Sequence, residues 1–238
     1  LTANWPAPNN VHTAISTRQG GHSQSPFDTF NLGAHVGDNP DHVAHNRLML
    51  EQALHLPATP TWLTQGHSTT AINLDTTQNS LRADASYTRH KNTVCAIMTA
   101  DCLPILLCNQ SGTLACAIHA GWRGLLNGII TQTITQFTEE RRTLLIWLGP
   151  AIHQQALKLN SDIRQQFIAR HPAYEDGFAR INGAWHADMY QLAQIELNQL
   201  GIHHIYRSAH CTYHNHDLFF SYRRENITGR FASLIWLS

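Results

Sequence analysis

The sequence lacks an excess of charge of either sign. Sixteen lysine and arginine side chains balance sixteen aspartates and glutamates, and charged residues make up only 13% of the 238 residues. Proteins that bind nucleic acid or an anionic membrane surface carry a basic patch, and no basic block stands out in this chain. Neither partner is therefore expected, and a small-molecule substrate fits the composition better.

Long apolar runs and paired cysteines are also missing. No run approaches the roughly 20 residues of a membrane span, and residues 1–8 lack the basic-then-apolar build of a signal peptide. Five cysteines, an odd number without a C-x-x-C pair, argue against a disulfide framework or a zinc ribbon. We expect a cytoplasmic protein in a reducing compartment, with its oligomeric state left open.

Three common enzyme motifs do not occur: the glycine-rich dinucleotide fingerprint, the Walker loop and the H-E-x-x-H zinc motif. This disfavours dinucleotide-dependent, P-loop and zincin enzymes. Histidine, in contrast, is abundant, with seventeen copies. Because histidine is the commonest metal ligand and titrates near neutrality, the excess directs attention to metal or acid–base chemistry.

The alternation of apolar segments predicts an α+β fold with mixed sheets. Strands are predicted at 11–17, 62–65, 94–100, 103–108, 113–120, 144–148, 205–209, 218–222 and 232–237. Helices are predicted at 40–55, 125–137, 161–171 and 188–200. Asp38-Asn39-Pro40 supplies the cap and the first-position proline of the first helix, Ser161 caps the third and Asp188 caps the last. Because strands and helices mix without a regular β-α-β rhythm and no linker is visible, we predict one α+β domain over residues 1–238.

Two of these strands end in chemically active side chains. Cys102 follows Asp101 at the start of strand 103–108, and His119 lies at the end of strand 113–120. In a hairpin the start of one strand lies beside the end of the other, so Cys102 and His119 are expected to meet at one sheet edge.

This pair permits two kinds of chemistry. A thiolate beside an imidazole is either a nucleophile with its base or a pair of metal ligands. A third ligand would favour the metal, and His67, which follows Gly66 at the end of another strand, is the best placed of the remaining histidines. Two imidazoles and one thiolate on Zn²⁺ leave the fourth tetrahedral position for water or substrate, as in catalytic zinc sites.

A copper site elsewhere in the chain is disfavoured. Residues 210–216 read His-Cys-Thr-Tyr-His-Asn-His and offer the residue types of copper centres. A multicopper chain needs several His-x-His pairs on separate strands, and this segment supplies a single pair.

Short motifs run in order along nearly the whole chain. They are Thr17-Arg-Gln-Gly-Gly-His-Ser23, Asn31-Leu-Gly33, His35-Val-Gly-Asp38, Asn46-Arg-Leu48, Gln65-Gly-His67, Ala83-Asp-Ala85, Thr99-Ala-Asp-Cys-Leu-Pro104, His119-Ala-Gly-Trp-Arg-Gly124, Gly149-Pro-Ala-Ile152, Cys211-Thr-Tyr213, Phe219-Phe-Ser-Tyr-Arg-Arg224 and Thr228-Gly-Arg230. Together they closely resemble the YfiH family, also called laccase-domain or polyphenol-oxidase-like proteins. The Asp-Cys and His-Ala-Gly-Trp-Arg-Gly motifs are the most specific part of this resemblance.

The resemblance implies a single α/β/β/α domain of four layers with one metal held by His67, Cys102 and His119, the trio also reached from the residues. It further implies purine nucleoside phosphorolysis and adenosine deamination, while copper-dependent phenol oxidation and editing of peptidoglycan precursors are associated with other members. One departure stands out, because His153-Gln154-Gln155 replace the glycine, cysteine and aromatic residues usual after Ile152. Substrate preference is expected to differ there if the segment borders the pocket.

We therefore predict a zinc-dependent purine nucleoside enzyme, with copper as the alternative metal. Arginine matches phosphate geometry, so Arg47 and Arg18, then Arg123, are the phosphate-binding candidates, and Asn31 is a further substrate-binding candidate. In deamination a metal-bound hydroxide would attack purine C6, and Asp101 either shuttles protons or orients the Cys102 turn.

Two rival functions remain. A metal-free hydrolase or amidase would use Cys102 as nucleophile and His119 as base, and a copper-dependent phenol oxidase would use the metal site for electron transfer.

Overall fold

The computed structural model describes residues 1–77 and 80–238, and within them the chain forms twelve strands and six α-helices. The strands are β1 (Val11–Ile15), β2 (Thr61–Trp62), β3 (Ala71–Asn73), β4 (Ala85–Thr88), β5 (Cys95–Thr99), β6 (Leu103–Asn109), β7 (Ala115–Ala120), β8 (Leu144–Leu148), β9 (Phe178–Ile181), β10 (Ala184–Ala187), β11 (His204–Arg207) and β12 (Phe231–Leu237). The helices are α1 (Pro40–Ala53), α2 (Trp122–Asn127), α3 (Ile129–Ile134), α4 (Ser161–Arg170), α5 (Met189–Gln199) and α6 (Tyr222–Glu225).

Two mixed sheets form the centre of the fold. The smaller has the strand order β1-β12-β5-β2, and the larger has the order β11-β8-β6-β7-β4-β3. Parallel pairs such as β11–β8 and β3–β4 occur beside antiparallel pairs such as β6–β7. The predicted α+β class with mixed sheets is confirmed.

Three apolar interfaces stack these elements into four layers. Helix α1 packs on the outer face of the smaller sheet through Leu50, Ala96 and Leu234. The two sheets then face each other through residues that include Ile97, Leu106 and Ala117. The other face of the larger sheet packs against α3 and α5, with Ile105, Ile118, Ile129 and Leu192 among the contacts. The order is α/β/β/α, and central strands are apolar throughout because both of their faces are buried.

The hairpin that carries the candidate site has the predicted antiparallel pairing. In the β6–β7 register, Leu103 lies opposite Ala120 and Pro104 lies opposite His119. The start of β6 therefore lies beside the end of β7.

Local capping also agrees with the sequence at two helices. The Asn39 side chain accepts from the backbone N–H of Asp41 at the start of α1, and Asp188 caps α5. Helix α4 is capped by Asn160, which accepts from the backbone N–H of Ile163, so the prediction of a Ser161 cap was wrong by one residue.

Several element predictions were wrong for identifiable reasons. Residues 218–222 are not a strand: Phe219 and Phe220 are fully buried in the core, and Ser221 caps the short helix α6. The predicted helix 125–137 is divided at Gly128, which has a φ of +86°. Strand β4 lies in the polar segment 73–92, where no strand is predicted. The prediction missed it because the hydroxyl residues Ser86 and Thr88 are buried in the structure, although their polarity is typical of an exposed segment.

Within the described residues, no helix has both the length and the apolar character needed to cross a bilayer.

Candidate metal centre

Three distant segments bring His67, Cys102 and His119 to one place. Their ligand atoms all lie within 4.8 Å of one another, and Cys102 Sγ is 3.6 Å from His67 Nε2. Cys102 immediately precedes β6 and His119 is near the end of β7, so the hairpin supplies two of the three side chains. His67 lies in the loop after β2 with a φ of +59°. The loop is tied to β5 by Gln65, whose side-chain amide exchanges two hydrogen bonds of 2.8 Å with the backbone of Met98.

A buried carboxylate, Asp84, connects the two histidines. It accepts hydrogen bonds from the backbone N–H groups of Gly66 at 3.2 Å, His67 at 3.0 Å and Ser68 at 2.6 Å, and from the Ser68 hydroxyl at 2.7 Å. Its Oδ1 is also 2.7 Å from Nδ1 of His119. This contact places a ring proton of His119 on Nδ1, so that Nε2 is the nitrogen that can bind a metal once it has released its own proton.

The charged groups of the site shift each other's pKa values in favour of their charged forms. Burial raises the pKa of the Asp84 carboxyl, but hydrogen bonds from His119 and Ser68 outweigh burial and hold it well below its usual range. Burial lowers the pKa of His119, whereas the Cys102 thiolate and Asp84 raise it, to about 9. Burial likewise raises the pKa of the Cys102 thiol, but His119 and then His67 bring it down to about 6. Cys102 is therefore a thiolate at neutral pH, which is the form that binds metals.

Gly121 leaves the space that the three ligands occupy. A Cβ atom at this position would lie 2.8 Å from Cys102 Sγ and 2.8 Å from His67 Cδ2, closer than packed atoms tolerate. One thiolate and two imidazoles around such a space can hold a single metal ion. In the described part of the chain this is the one group of three or more potential ligands, and residues 210–216 form no second one.

The trio lines a cleft of about 580 Å³, a volume within the usual range for small-molecule sites. The apolar residues of the lining include Trp122, Ile152, Leu157, Leu159 and Met189. Four cationic side chains line the same cleft, namely Arg123, Lys158, Arg223 and Arg230.

Asp101 lines the cleft, but both of its carboxylate oxygens have protein partners. Oδ1 accepts from the Thr212 hydroxyl at 2.7 Å, and Oδ2 accepts from the backbone N–H of Arg223 at 2.6 Å. Asp101 thus connects helix α6 to the turn before Cys102. Of the two roles considered from the sequence, proton shuttle and orientation of the turn, these contacts correspond to the second.

The candidate phosphate arginines separate into two groups. Arg123 lines the cleft, whereas Arg47 and Arg18 do not. Arg47 donates to the carbonyl oxygen of Leu32 at 3.0 and 2.8 Å. Arg18 lines a separate open surface cavity, where it pairs with Glu225 at 3.0 Å.

Asn31 is fully buried, and its side chain binds backbone groups of other residues. Its Oδ1 accepts from the backbone N–H groups of Gly33 at 2.9 Å and Arg230 at 2.8 Å. It therefore positions Arg230, a cleft residue that the sequence reasoning did not select. Asp84 was likewise not predicted as a site residue. Asp84 and Arg230 lie in two motifs of the family resemblance, Ala83-Asp-Ala85 and Thr228-Gly-Arg230, and these motifs could have identified them.

The departure at 153–155 lies outside the lining of the cleft. His153 packs edge-on against the Tyr190 ring, with centroids 5.7 Å apart, and its backbone N–H contacts Cys211 Sγ at 3.3 Å. Its influence on a ligand is therefore indirect.

Comparison with known proteins decides the family. The model of the family described as multi-copper polyphenol oxidoreductase laccase matches residues 12–238. The chain belongs to this family. The family resemblance noted in the sequence is confirmed by relatives and structures that carry the YfiH name.

Similar proteins align over the full length. An Escherichia coli (strain K12) protein named purine nucleoside phosphorylase YfiH is 45% identical over 238 residues, which are 100% of this chain and 98% of the relative. A Haemophilus influenzae protein named purine nucleoside phosphorylase is 44% identical, covering 99% and 98%. The crystal structure of a Neisseria meningitidis protein, 43% identical, has a TM-score of 0.94 and covers 100% of this chain and 98% of that one.

The depressed pKa of Cys102 predicts selective alkylation of the metal-free protein. A thiol with a pKa of about 6 stays a thiolate down to that pH, so iodoacetamide should modify Cys102 readily at pH 7 and progressively more slowly below pH 6. Burial raises the pKa values of Cys95 and Cys108 to about 12, so they should not react. Peptide mass spectrometry across a pH series measures both rates. A Cys102 rate that keeps rising to about pH 8.5, as for an ordinary thiol, would contradict this electrostatic account.

Proposed function

We propose that this protein is a zinc-dependent purine nucleoside phosphorylase that acts in the cytoplasm as a single domain of residues 1–238. The observation that carries the proposal is the convergence of one thiolate and two imidazoles in the lining of a substrate-sized cleft. Full-length similarity to proteins named purine nucleoside phosphorylase supports the substrate class.

The donor set favours zinc over copper. Two imidazoles and a thiolate, with one imidazole oriented by a buried carboxylate, match the three-ligand pattern of catalytic zinc sites. A bound zinc supplies a Lewis acid for an oxygen ligand in the cleft. A multicopper enzyme needs several such clusters, and the described residues provide one.

The cleft lining contains apolar side chains for one substrate and cationic side chains for the other. The apolar side chains, Trp122, Ile152 and Leu157 among them, suit the flat purine ring. In phosphorolysis, a phosphate oxygen forms a bond to ribose C1′ while the C1′–N9 bond breaks, and the purine leaves with the bonding electrons. The protein's task is to bind both reactants with C1′ and the phosphate adjacent, which removes much of the entropic barrier.

Arg230 is the proposed phosphate ligand in place of Arg47 and Arg18. Its Nη1 donates to the backbone carbonyls of Thr228 and Gly229, both at 2.9 Å, which fixes the guanidinium. Burial lowers the pKa of Arg230, and the Cys102 thiolate and Asp101 act in the opposite direction, so the guanidinium lies within the field of the metal ligands. The remaining N–H groups of the guanidinium can donate two parallel hydrogen bonds to two oxygens of a phosphate.

His35 is proposed as a neutral hydrogen-bonding partner for the substrate. It lines the cleft, and burial lowers its pKa, with the charges of Arg230 and Arg47 lowering it further. An imidazole that stays neutral at pH 7 can donate one hydrogen bond and accept another without repelling the cationic phosphate site.

A second candidate function is a metal-free Cys–His hydrolase, with Cys102 as nucleophile and His119 as base. The thiolate state of Cys102, which His119 and His67 stabilise, favours it, because a nucleophilic cysteine needs a neighbouring imidazole. Asp84, which contacts His119 at 2.7 Å, would orient the base and be the third member of a triad. Metal content separates the two candidates, since only the phosphorylase requires zinc.

Purified protein is expected to contain about one zinc per chain and to convert adenosine and phosphate into adenine and ribose 1-phosphate. Elemental analysis and chromatography with phosphate present and absent measure the two properties. His67→Ala should lose the metal and the activity together, because it removes one of three ligands. Inosine as an additional product would reveal adenosine deamination. A metal-free protein with full activity would support the hydrolase instead, and turnover of phenols alone, only with copper, would refute the nucleoside assignment.

Replacing the phosphate arginine should raise the KM for phosphate selectively. Loss of a charge-assisted hydrogen bond costs about 1.5–3 kcal/mol, so Arg230→Gln is expected to raise this KM about 10- to 100-fold. Arg18→Gln removes the same charge outside the cleft and serves as the matched control, with a KM close to that of the wild type. Initial rates at varied phosphate and saturating adenosine measure the effect. The reverse ranking of the two variants would return the phosphate role to Arg18.

A further inference from the structure

Positive charge in the cleft exceeds what one inorganic phosphate requires. Four cationic side chains line it, and the single carboxylate among the described lining residues is Asp101, whose two oxygens are already bound to Thr212 and to the backbone of Arg223. If Arg230 holds the phosphate that attacks C1′, three cations remain without an assigned ligand.

These three side chains, Arg123, Lys158 and Arg223, form what we call the outer cationic group. The Arg223 Nη1 donates to the backbone carbonyls of Ala156 at 3.3 Å and Lys158 at 3.2 Å, so its guanidinium lies against the main chain of Lys158. The Arg123 guanidinium lies over the Trp122 ring, 4.3 Å from the centroid. Within residues 1–77 and 80–238, none of the three is paired with a carboxylate.

The outer cationic group is distinct from the inner arginine. Its three members are exposed, whereas Arg230 is partly buried and feels the charge of Cys102. The group shares the cleft lining with apolar residues: the Arg123 guanidinium lies over the Trp122 ring, and Lys158 stands between Leu157 and Leu159 in the sequence. A ligand whose base packs on these apolar residues is therefore close to positive charge.

We propose that the cleft accepts purine nucleoside 5′-monophosphates, with the outer cationic group binding the 5′-phosphate while Arg230 binds the attacking inorganic phosphate. This inference rests on the proposed function and narrows its substrate class. The reaction balances without another reactant: an oxygen of inorganic phosphate bonds to C1′, the C1′–N9 bond breaks, and the purine leaves with the electron pair and takes up a proton. The products are the free purine and ribose 1,5-bisphosphate.

Charge complementarity gives this site its preference. A 5′-phosphate carries close to two negative charges at neutral pH, and a concave surface with one sign of charge concentrates such ligands. Because the outer cationic group is exposed, its contribution should weaken as salt is raised. A nucleoside without the phosphate gains nothing from these side chains.

The test compares adenosine with adenosine 5′-monophosphate in the wild type, Lys158→Glu and Lys91→Glu. Lys91 is the other lysine of the chain; it is exposed and lies outside the cleft lining, so its variant carries the same change in net charge. Calorimetric binding without phosphate and kcat/KM with phosphate are measured for both ligands. Wild type and Lys91→Glu should favour the nucleotide by about tenfold or more, and Lys158→Glu should remove that preference while changing the adenosine values less than about threefold.

Different results would refute the outer binding site and the phosphorylase activity. Equal wild-type affinities for the two ligands, or equal losses for both in Lys158→Glu, would overturn the outer site. The same holds if Lys158→Glu weakens binding of inorganic phosphate alone as much as binding of the nucleotide, because the group would then hold free phosphate. Absence of phosphorolysis with either ligand, in a protein that still prefers the nucleotide in calorimetry, would overturn the phosphorylase assignment and the nucleotide reaction but not the binding site.

Discussion

One buried carboxylate organises the functional end of this protein. Asp84 is fully buried, and an ionised carboxylate removed from water costs several kcal/mol unless its oxygens are hydrogen-bonded. Here its partners are the backbone of residues 66–68, the Ser68 hydroxyl and the imidazole of His119. The hydrogen bonds to Asp84 therefore hold the loop that carries His67 and the strand that carries His119 in a fixed relation. In this way one buried carboxylate sets the relative positions of two metal ligands.

The sheet provides the rest of this geometry. Asp84 directly precedes β4, and β4 pairs with β7 so that Ala85 lies opposite Ile118, the neighbour of His119. On its other side β7 pairs with β6, whose first residue follows Cys102. A register shift on either side would turn His119 to the opposite face of the sheet, because side chains alternate along a strand. The three ligands thus depend on two strand pairings and on the open space at Gly121.

The parts of the fold that were predictable are those fixed by local rules. The hairpin of β6 and β7 follows from two apolar runs around a short turn, and it alone places Cys102 beside His119. The caps Asn39 and Asp188 follow from side chains that reach backbone groups two or three residues away. His67 required more, because only its glycine neighbour and the family resemblance distinguished it from the other histidines.

The parts that were missed depend on tertiary contacts. Asp84 lies in a polar segment that reads as a loop, and only the pairing of β4 with β7 shows that this segment is core. Arg230 could not be ranked above Arg47 and Arg18, because its position depends on tertiary contacts such as the hydrogen bond from its backbone N–H to Asn31, about 200 positions away in sequence. Residues 218–222 have strand-like composition, but the rings of Phe219 and Phe220 fill the space between the two sheets.

The measurement that tests this account most directly is the zinc affinity of Asp84→Asn, determined by competition with a chromophoric chelator. The substitution keeps the shape of the side chain and removes its charge, and Asp162→Asn, in the first turn of α4, is the control. Loss of a partner behind a metal-binding histidine typically weakens binding about 10- to 100-fold. The account predicts a loss of that size for Asp84→Asn with an unchanged circular dichroism spectrum, and none for the control. Wild-type zinc affinity in folded Asp84→Asn would contradict the claim that this carboxylate organises the site.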